Sequence, residues 1–548
     1  MGKALLNVVF NDEHASTAQS LNKLDYVVAA ILFLSMFGVS FAFCIPEVAG
    51  TFHDDAVYIT ISKSLAEGHG YRIVSFPGEP AQMKYPILYP LILATVWTAL
   101  PKFPQNLFAL QLISVFSASL FLPLSYLYLV RFLYASRVVA ASAAAICVSI
   151  PGFAFFGGQV LSEMPFALSL IVCLWAMDSY CTNRYQSPIV QFVVGVAVAA
   201  PASIRLIGWV APIAALVVLW RRRLLNPILI VSCSLTALAS VSHVLLGIGS
   251  RTGGASDRIQ SYQDNYIEWA LRLAISHEFA VVCKNLQEML AVTTKALFCG
   301  VSQTVNPTPY NLVLYVFGGL LAWGVVVGGV RQTKPLATLV AGYAVVVILW
   351  PWPPFRFLIP LMPFLSAGFL GAVSNLLARV KMRSLIIVLL AVAMAATNAV
   401  FLTAVVRNNQ SNQMPLISVP RNGADWSGFE KLFDWIKHNT ADDDTLACTY
   451  DGLTFLYTGR KCIRPYDLNI GAAYYGQSES MLGTVEELVE TLKRYKVRFL
   501  VVTPQPGYAE EGQAYSLASS LGINYKESVE PVYISSDGRF VVLRITFD

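Results

Sequence analysis

The sequence predicts a multi-pass α-helical membrane protein of about eleven spans, with a C-terminal α/β domain outside the membrane. Three observations predict it. Of 548 residues, 56% are hydrophobic and only 13% charged, with a mean hydropathy of +0.58, against roughly 45–50% and about a quarter in average soluble domains. Basic residues recur between the apolar stretches in strict alternation. Beyond about Arg407 the pattern becomes that of a soluble α/β fold.

A helix needs roughly 20 apolar residues to cross a bilayer core. Such stretches run from Tyr26 to about Ile45, from Leu107 to Val130 and from Val138 to Phe156. Others begin at Met164, Pro188, Leu206, Leu225, Asn311, Pro335, Phe355 and Leu385, the last ending near Val406. Arg131 and Arg137 follow the second stretch, Arg184 the fourth, and Arg221, Arg222 and Arg223 the sixth. Arg331 and Lys334 follow the eighth, and Arg379, Lys381 and Arg383 the tenth. All fall on the side of the N-terminus, which the positive-inside rule makes cytoplasmic. Eleven crossings then leave the C-terminus external, in a plasma (inner) membrane protein. Residues 1–25 form a cytoplasmic lead with no small-residue cleavage site, so the first stretch reads as a signal anchor.

Residues 26–406 form the membrane part. Within it, Pro188 to Trp220 is long for one helix and short for two, and Pro201 and Arg205 interrupt it. The arginines after Trp220 require two crossings. Tyr85 to Leu100 is also apolar, but a span there would invert every later loop. It reads instead as an interfacial or re-entrant helix in a first external loop, residues 46–106. A long external loop, residues 250–310, carries patterns such as "YIEWALRLAI" that suit helices lying in the interface.

Residues 407–548 alternate strand-like segments, "TLACTY", "VRFLVVTP" and "RFVVLRITF", with helical ones, "WSGFEKLFDWIKHN" and "TVEELVETLKRYK". That alternation argues a small α/β domain. The nine cysteines show no C-x-x-C pair and no zinc spacing. Cys147, Cys173 and Cys233 sit in apolar runs as small hydrophobes; Cys448 and Cys462 can pair if their domain faces an oxidising compartment. A net charge of only +5 is no footprint for nucleic acid. The lipid bilayer is the one partner that composition alone implies.

On this topology the external face collects residues that do not belong in apolar surroundings. "TFHDDAVYI" places Asp54 and Asp55 after the first span. Lys84 sits in "MKYPILYP", Glu163 in "GGQVLSEMPF", Arg205 in "ASIRLIGW" and Arg356 in "WPWPPFRFLIPLMPF". Charges at membrane depth are costly and mark functional sites by default. Plainer readings stand beside each. Glu163 and Arg205 can form an ion pair that only sets helix register. Arg356 and Lys84 can snorkel to the headgroups, His53 can be an ordinary loop residue, and one of the aspartates can cap the following helix. Taken together, a carboxylate can serve as general base, while Lys84 and the arginines hold a phosphate leaving group. Moving a sugar from a lipid phosphate needs both.

The stretch "HDDAVYITISKSLAEGHGY…MKYPILYPLILA" resembles the first external loop of the glycosyltransferase-C fold, nearest its family 39-like enzymes, relatives of protein mannosyltransferases and lipid A aminoarabinose transferases. Asp54, Asp55, Tyr58, Leu65, Gly68, Lys84 and Pro86 match that pattern. "LSEMPF" resembles the second external loop, with Glu163 as its acidic residue. "FRFLIPLMPFL" resembles a late-helix element, and "FLYTGR" (Phe455 to Arg460) is a looser match.

The resemblance implies an inverting transfer from a polyprenyl-phosphate-linked sugar to a glycan, lipid or protein acceptor. The catalytic base falls on Asp54, with Asp55 as second choice; Lys84 takes the lipid-phosphate role, beside Arg205 and Arg356. Tyr58 and Tyr85 become substrate-binding candidates, although Tyr85 stands where many relatives have proline. No equivalent of the His-rich metal site of aminoarabinose transferases is visible, so no cofactor is assigned and a divalent metal stays open. A rival reading, a flippase or transporter for lipid-linked sugars, calls for charges near the midplane and inverted repeats. These charges gather at one face. A non-catalytic scaffold would explain the C-terminal domain but not the acidic loop.

Overall fold

The structure, a computed structural model, describes residues 19–182, 187–249, 281–294, 335–350, 352–419, 425–466, 468, 474–475, 481–505 and 511–547. The stretch expected to span from Asn311, and most of loop 250–310, lie outside the described residues.

Five described helices are long and apolar enough to cross a membrane: Lys23–Phe41, Leu107–Phe132, Glu163–Thr182, Phe355–Leu376 and Arg383–Asn412. A sixth forms if Arg137–Ser149 and Pro151–Gly158, which meet at a 65° bend, are one span. That bend falls where Pro151 removes a backbone donor and its ring excludes the preceding turn. Leu107–Phe132 packs against Lys23–Phe41, Arg137–Ser149, Pro151–Gly158, Glu163–Thr182 and Met362–Leu376. The outer helices present Leu24, Ile31, Leu34, Leu389, Val392 and Val400 outward, an apolar surface that a bilayer would cover. Shorter apolar helices cover Leu88–Ala99, Pro188–Ile204, Leu206–Arg221, Pro227–Ser242 and Pro335–Leu349.

Two short elements shape the functional end. Leu88–Ala99 has 12 residues, about 18 Å of helix against a hydrocarbon core of roughly 30 Å, and it packs on the Asp54–Ala66 helix. The Pro188–Trp220 stretch is broken at Arg205, whose backbone is extended (φ −142°, ψ 143°). Gly208 permits the tight turn that follows, since a Cβ there would lie 2.1 Å from the carbonyl oxygen of Pro201.

The C-terminal domain is built on one mixed sheet. Its strands are β1 (Leu446–Cys448), β2 (Cys462–Ile463), β3 (Phe499–Val502), β4 (Val529–Ile534) and β5 (Val541–Ile545), in the order β2-β1-β3-β5-β4. The first three are parallel; β5 runs antiparallel to both β3 and β4. Cys448 and Cys462 lie buried on neighbouring strands, and no disulfide joins them.

The loop that follows the first helix wraps this sheet. Ile45 and Val48 enter the core on one face with Phe429, Tyr450 and Leu453. Ile73 and Phe76 enter the core on the other with Leu488, Leu492 and Leu500. The Cys462 amide donates to the Ser75 carbonyl at 2.9 Å, so the loop also adds to the β2 edge. Loop and domain therefore share their hydrophobic cores.

Candidate functional site

Four chain segments end at one place, and each delivers a charged side chain because a helix starts or breaks there. Asp54 opens the Asp54–Ala66 helix, Glu163 opens Glu163–Thr182, Arg205 sits in the break before Leu206, and Arg356 lies in the first turn of Phe355–Leu376. Arg356 links them. Its Nη1 lies 2.7 Å from Asp54 Oδ2, its Nε donates to Glu163 Oε1 at 2.7 Å, and its Nη2 also contacts that oxygen. Arg205 Nη1 donates to the same Glu163 oxygen at 2.9 Å and to Ser162 Oγ at 2.8 Å. The guanidinium carbons lie over aromatic faces, Arg356 4.8 Å from the centroid of Phe52 and Arg205 5.5 Å from that of Phe357. Such stacking suits a planar cation in apolar surroundings. Arg356 is thus a cross-link inside the bundle end, where the sequence also allowed a snorkelling side chain.

Tyrosines form the neighbouring wall. Tyr85 donates its hydroxyl to Asp54 Oδ1 at 2.7 Å, and Tyr71 holds the Tyr85 carbonyl at 2.8 Å. Tyr58 shares a 2.8 Å hydrogen bond with Ser162, and its ring meets Tyr85 and Tyr89 at centroid distances of 5.0 and 4.9 Å. Lys84 is half-buried with Nζ 5.7 Å from the Tyr85 ring centroid, near enough for its charge to act on Asp54. Sequence reasoning passed over Ser162, Tyr89, Phe52 and Phe357. Ser162 stood inside the quoted "LSEMPF"; the aromatic rings carry no local signal of their own.

The adjacent aspartates have opposite surroundings. Asp54 is 22% exposed and faces the cations. Burial alone would raise its pKa, but Arg356, the Tyr85 hydrogen bond and Lys84 together outweigh it and hold the carboxyl well below the usual range. Asp55 is 1% exposed and turns back on the preceding loop, accepting from the amides of Gly50 at 2.6 Å and Phe52 at 3.2 Å. Burial pushes it up to about 6 against those hydrogen bonds. The helix itself starts after His53 with no side-chain capping bond from that residue, so the expected aspartate cap is replaced by the Asp55 clamp.

That shift has a measurable sign. Between the ordinary 3.8 and about 6, the folded protein binds more protons at Asp55 than the unfolded chain does. Stability from this group is then fullest below that window and falls as pH rises through it. Thermal melts of wild type and Asp55→Asn across pH 4 to 7 should show the wild-type slope reduced in the variant; parallel slopes would remove the assignment.

Glu163 is 1% exposed, and its second oxygen, Oε2, is buried without a hydrogen-bond partner. Among the described residues no group of three or more His, Cys, Asp or Glu side chains could hold a metal ion. Two carboxylates of the site, Asp54 and Glu163, have Arg356 between them. A divalent ion between these two would have to displace the guanidinium, so the described residues, as arranged, do not fit one there.

No family model matches the sequence, and no curated protein does either. Solved structures do. The oligosaccharyltransferase AglB from Archaeoglobus fulgidus, in complex with an inhibitory peptide and a dolichol-phosphate, is 12% identical, with a TM-score of 0.55 over 94% of this chain and 74% of its own. ArnT from Cupriavidus metallidurans, bound to undecaprenyl phosphate, is 12% identical, with a TM-score of 0.51 over 96% of this chain and 98% of its own. An Archaeoglobus fulgidus oligosaccharyltransferase in complex with Zn and sulfate matches with a TM-score of 0.51 at 12% identity, over 94% of this chain and 72% of its own. The chain has the glycosyltransferase-C fold.

Proposed function

We propose that this protein is an integral membrane glycosyltransferase that moves a sugar from a polyprenyl-phosphate-linked donor to a hydroxyl-bearing glycan, lipid or protein acceptor. One observation carries the reading: a partly exposed carboxylate, Asp54, stands within 2.7 Å of a cation at the end of an apolar bundle, with the Lys84 charge acting on it and Arg205 joined to the same cation through Glu163. The fold shared with enzymes solved with dolichol-phosphate and undecaprenyl phosphate supports a lipid-phosphate donor.

The reaction is a single displacement. The acceptor oxygen bonds to the anomeric carbon as the bond from that carbon to the phosphate oxygen breaks, and the lipid phosphate leaves with the electron pair. Asp54 takes the acceptor proton, and because the acceptor attacks opposite the departing phosphate, the configuration inverts. Lys84, Arg205 and Arg356 offset the charge that gathers on the phosphate. Held ionised by its neighbours, Asp54 is in the base form throughout the physiological range. A bound phosphate competes for Arg356, weakens its hold on Asp54 and makes that carboxylate more basic when the donor is in place. Tyr85 keeps it aimed, and the buried Glu163 holds Arg205 and Arg356 in place.

Two measurements test this. Binding of undecaprenyl phosphate to the detergent-purified protein should weaken about 10- to 150-fold in Lys84→Ala, the equivalent of roughly 1.5–3 kcal/mol for a charge-assisted contact. Thermal stability should change little, and Lys84→Arg should recover only part of the affinity, because a planar fork replaces a compact ammonium. Wild-type affinity in Lys84→Ala would reduce the residue to an interfacial anchor. For topology, we place the N-terminus in the cytoplasm and the site with residues 407–548 outside. A reporter active only outside the cytoplasm should work after Asp548 and fail after Arg223. The reverse pattern would overturn the orientation and a reaction at the outer face.

A further inference from the structure

The backbone immediately before Asp54 is strained, and the C-terminal domain lies against the strained residue. His53 has φ +61° and ψ −60°, and the Asp54 amide donates to the Phe52 carbonyl at 2.7 Å. Together these make a three-residue γ-turn of the rare, strained hand. A non-glycine residue in such a region is strained and persists only where its surroundings over-determine it. Here the surroundings come from both sides.

On one side Asp55 ties the amides of Gly50 and Phe52 to the start of the helix. On the other stands the segment that follows β1. The His53 ring stacks on Tyr450, centroids 4.8 Å apart and planes 25° apart. Gly50, at φ +94°, lies so close to Leu453 that a Cβ would come within 2.8 Å of it, and a Cβ on Gly452 would come within 2.9 Å of Ala56. The Tyr457 hydroxyl donates to the Glu47 carbonyl at 2.6 Å and accepts from the Ala49 amide at 3.1 Å. Residues 47–56 are therefore cast against the Tyr450–Tyr457 segment.

We infer that Tyr450 is a positioning residue for the transfer reaction: by seating His53 in the strained turn, the C-terminal domain sets the direction in which Asp54 leaves the backbone. The inference rests on the glycosyltransferase reading for its consequence, not for its geometry. A turn that relaxes to negative φ rotates the first helical residue and carries its carboxylate away from Arg356 and Tyr85. Placement errors of about 1 Å cost on the order of 10²-fold in rate when the reacting groups must be aligned. The domain is then part of the catalytic apparatus although Tyr450 need not touch substrate.

The test uses the full-length protein in nanodiscs and three variants: Tyr450→Phe, Tyr450→Ala and the double variant Tyr450→Ala/His53→Gly. Electron cryo-microscopy reads φ at position 53 and the distance from Asp54 to Arg356. Transfer of labelled sugar from the polyprenyl-phosphate pool of cell membranes, and undecaprenyl phosphate affinity, are followed in parallel. Tyr450→Phe, which keeps the ring, should match wild type. Tyr450→Ala should lose the turn, lengthen the 2.7 Å contact and slow transfer at least 10-fold, with donor-phosphate affinity unchanged. Glycine adopts positive φ without strain, so the double variant should regain the turn and part of the rate. A role confined to holding the domains together would give no such rescue.

If Tyr450→Ala keeps the turn and the contact, or loses both with transfer undiminished, the inference is overturned. If the geometry shifts as expected while wild type binds no undecaprenyl phosphate, the positioning stands and the donor reading falls.

Discussion

Asp54→Asn should reduce sugar transfer by about 10²–10⁴-fold, the usual loss when one general base is removed, while leaving the donor site intact. Asparagine keeps the size of the side chain and an oxygen that can accept from Tyr85, which now bonds Asp54 at 2.7 Å. It cannot accept the proton of an incoming hydroxyl. It also removes a negative charge beside the proposed phosphate position, so undecaprenyl phosphate should bind as tightly as to wild type, or more tightly. Arg356 keeps its contact with Glu163, so the site should not collapse. Asp55→Asn should behave differently: it loosens the loop, lowers thermal stability and affects transfer only through that loosening. Measuring transfer, phosphate affinity and melting for both variants separates the roles. Full activity in Asp54→Asn with a dead Asp55→Asn would exchange the two aspartates, and normal transfer in both would end the enzyme hypothesis in this form.

How far the site was legible follows from what local sequence can carry. Asp54, Lys84, Glu163, Arg205 and Arg356 stood out because charges interrupt apolar runs. The pairing of Arg356 with Asp54 did not, because the two come from opposite ends of the membrane part and meet only through packing. Neither did the division of labour in the acidic pair. That depends on which carboxylate points back at the amides of Gly50 and Phe52, a matter of where the helix starts. The break at Arg205 was announced by Pro201. The 65° bend at Pro151 was not read, since the apolar run from Val138 to Phe156 continues through it. In the C-terminal domain β1, β3 and β5 fall within the strand-like segments seen in the sequence. β2 has two residues, too few for any period, and β4 carries Pro531 at a shift in its register, which blurs its alternation. The wrapping of the domain by the first loop left no pattern either, because much of it runs through backbone groups and single aromatic rings.

Glu163→Gln should be the most destabilising single change at the site and should separate binding from catalysis. One oxygen of Glu163 meets both Arg205 at 2.9 Å and Arg356 at 2.7 Å, in a side chain that is 1% exposed. Glutamine has nearly the same shape but no charge, so two largely buried guanidiniums are left facing a neutral amide. Removing one partner of a buried ion pair typically costs about 3–5 kcal/mol. The unfolding temperature should therefore fall by several degrees in detergent. The freed arginines should hold an anion more strongly, raising undecaprenyl phosphate affinity as stability drops. Transfer should slow, because Arg356 then leans on Asp54 alone and lowers its basicity. Adding Arg205→Gln restores the charge balance, so the double variant should recover part of the lost stability. That non-additivity is the signature of a shared contact. If Glu163→Gln melts like wild type, or if the two substitutions simply add, Glu163 does not organise these arginines. The site would then have to be built around Asp54 and Lys84 without it.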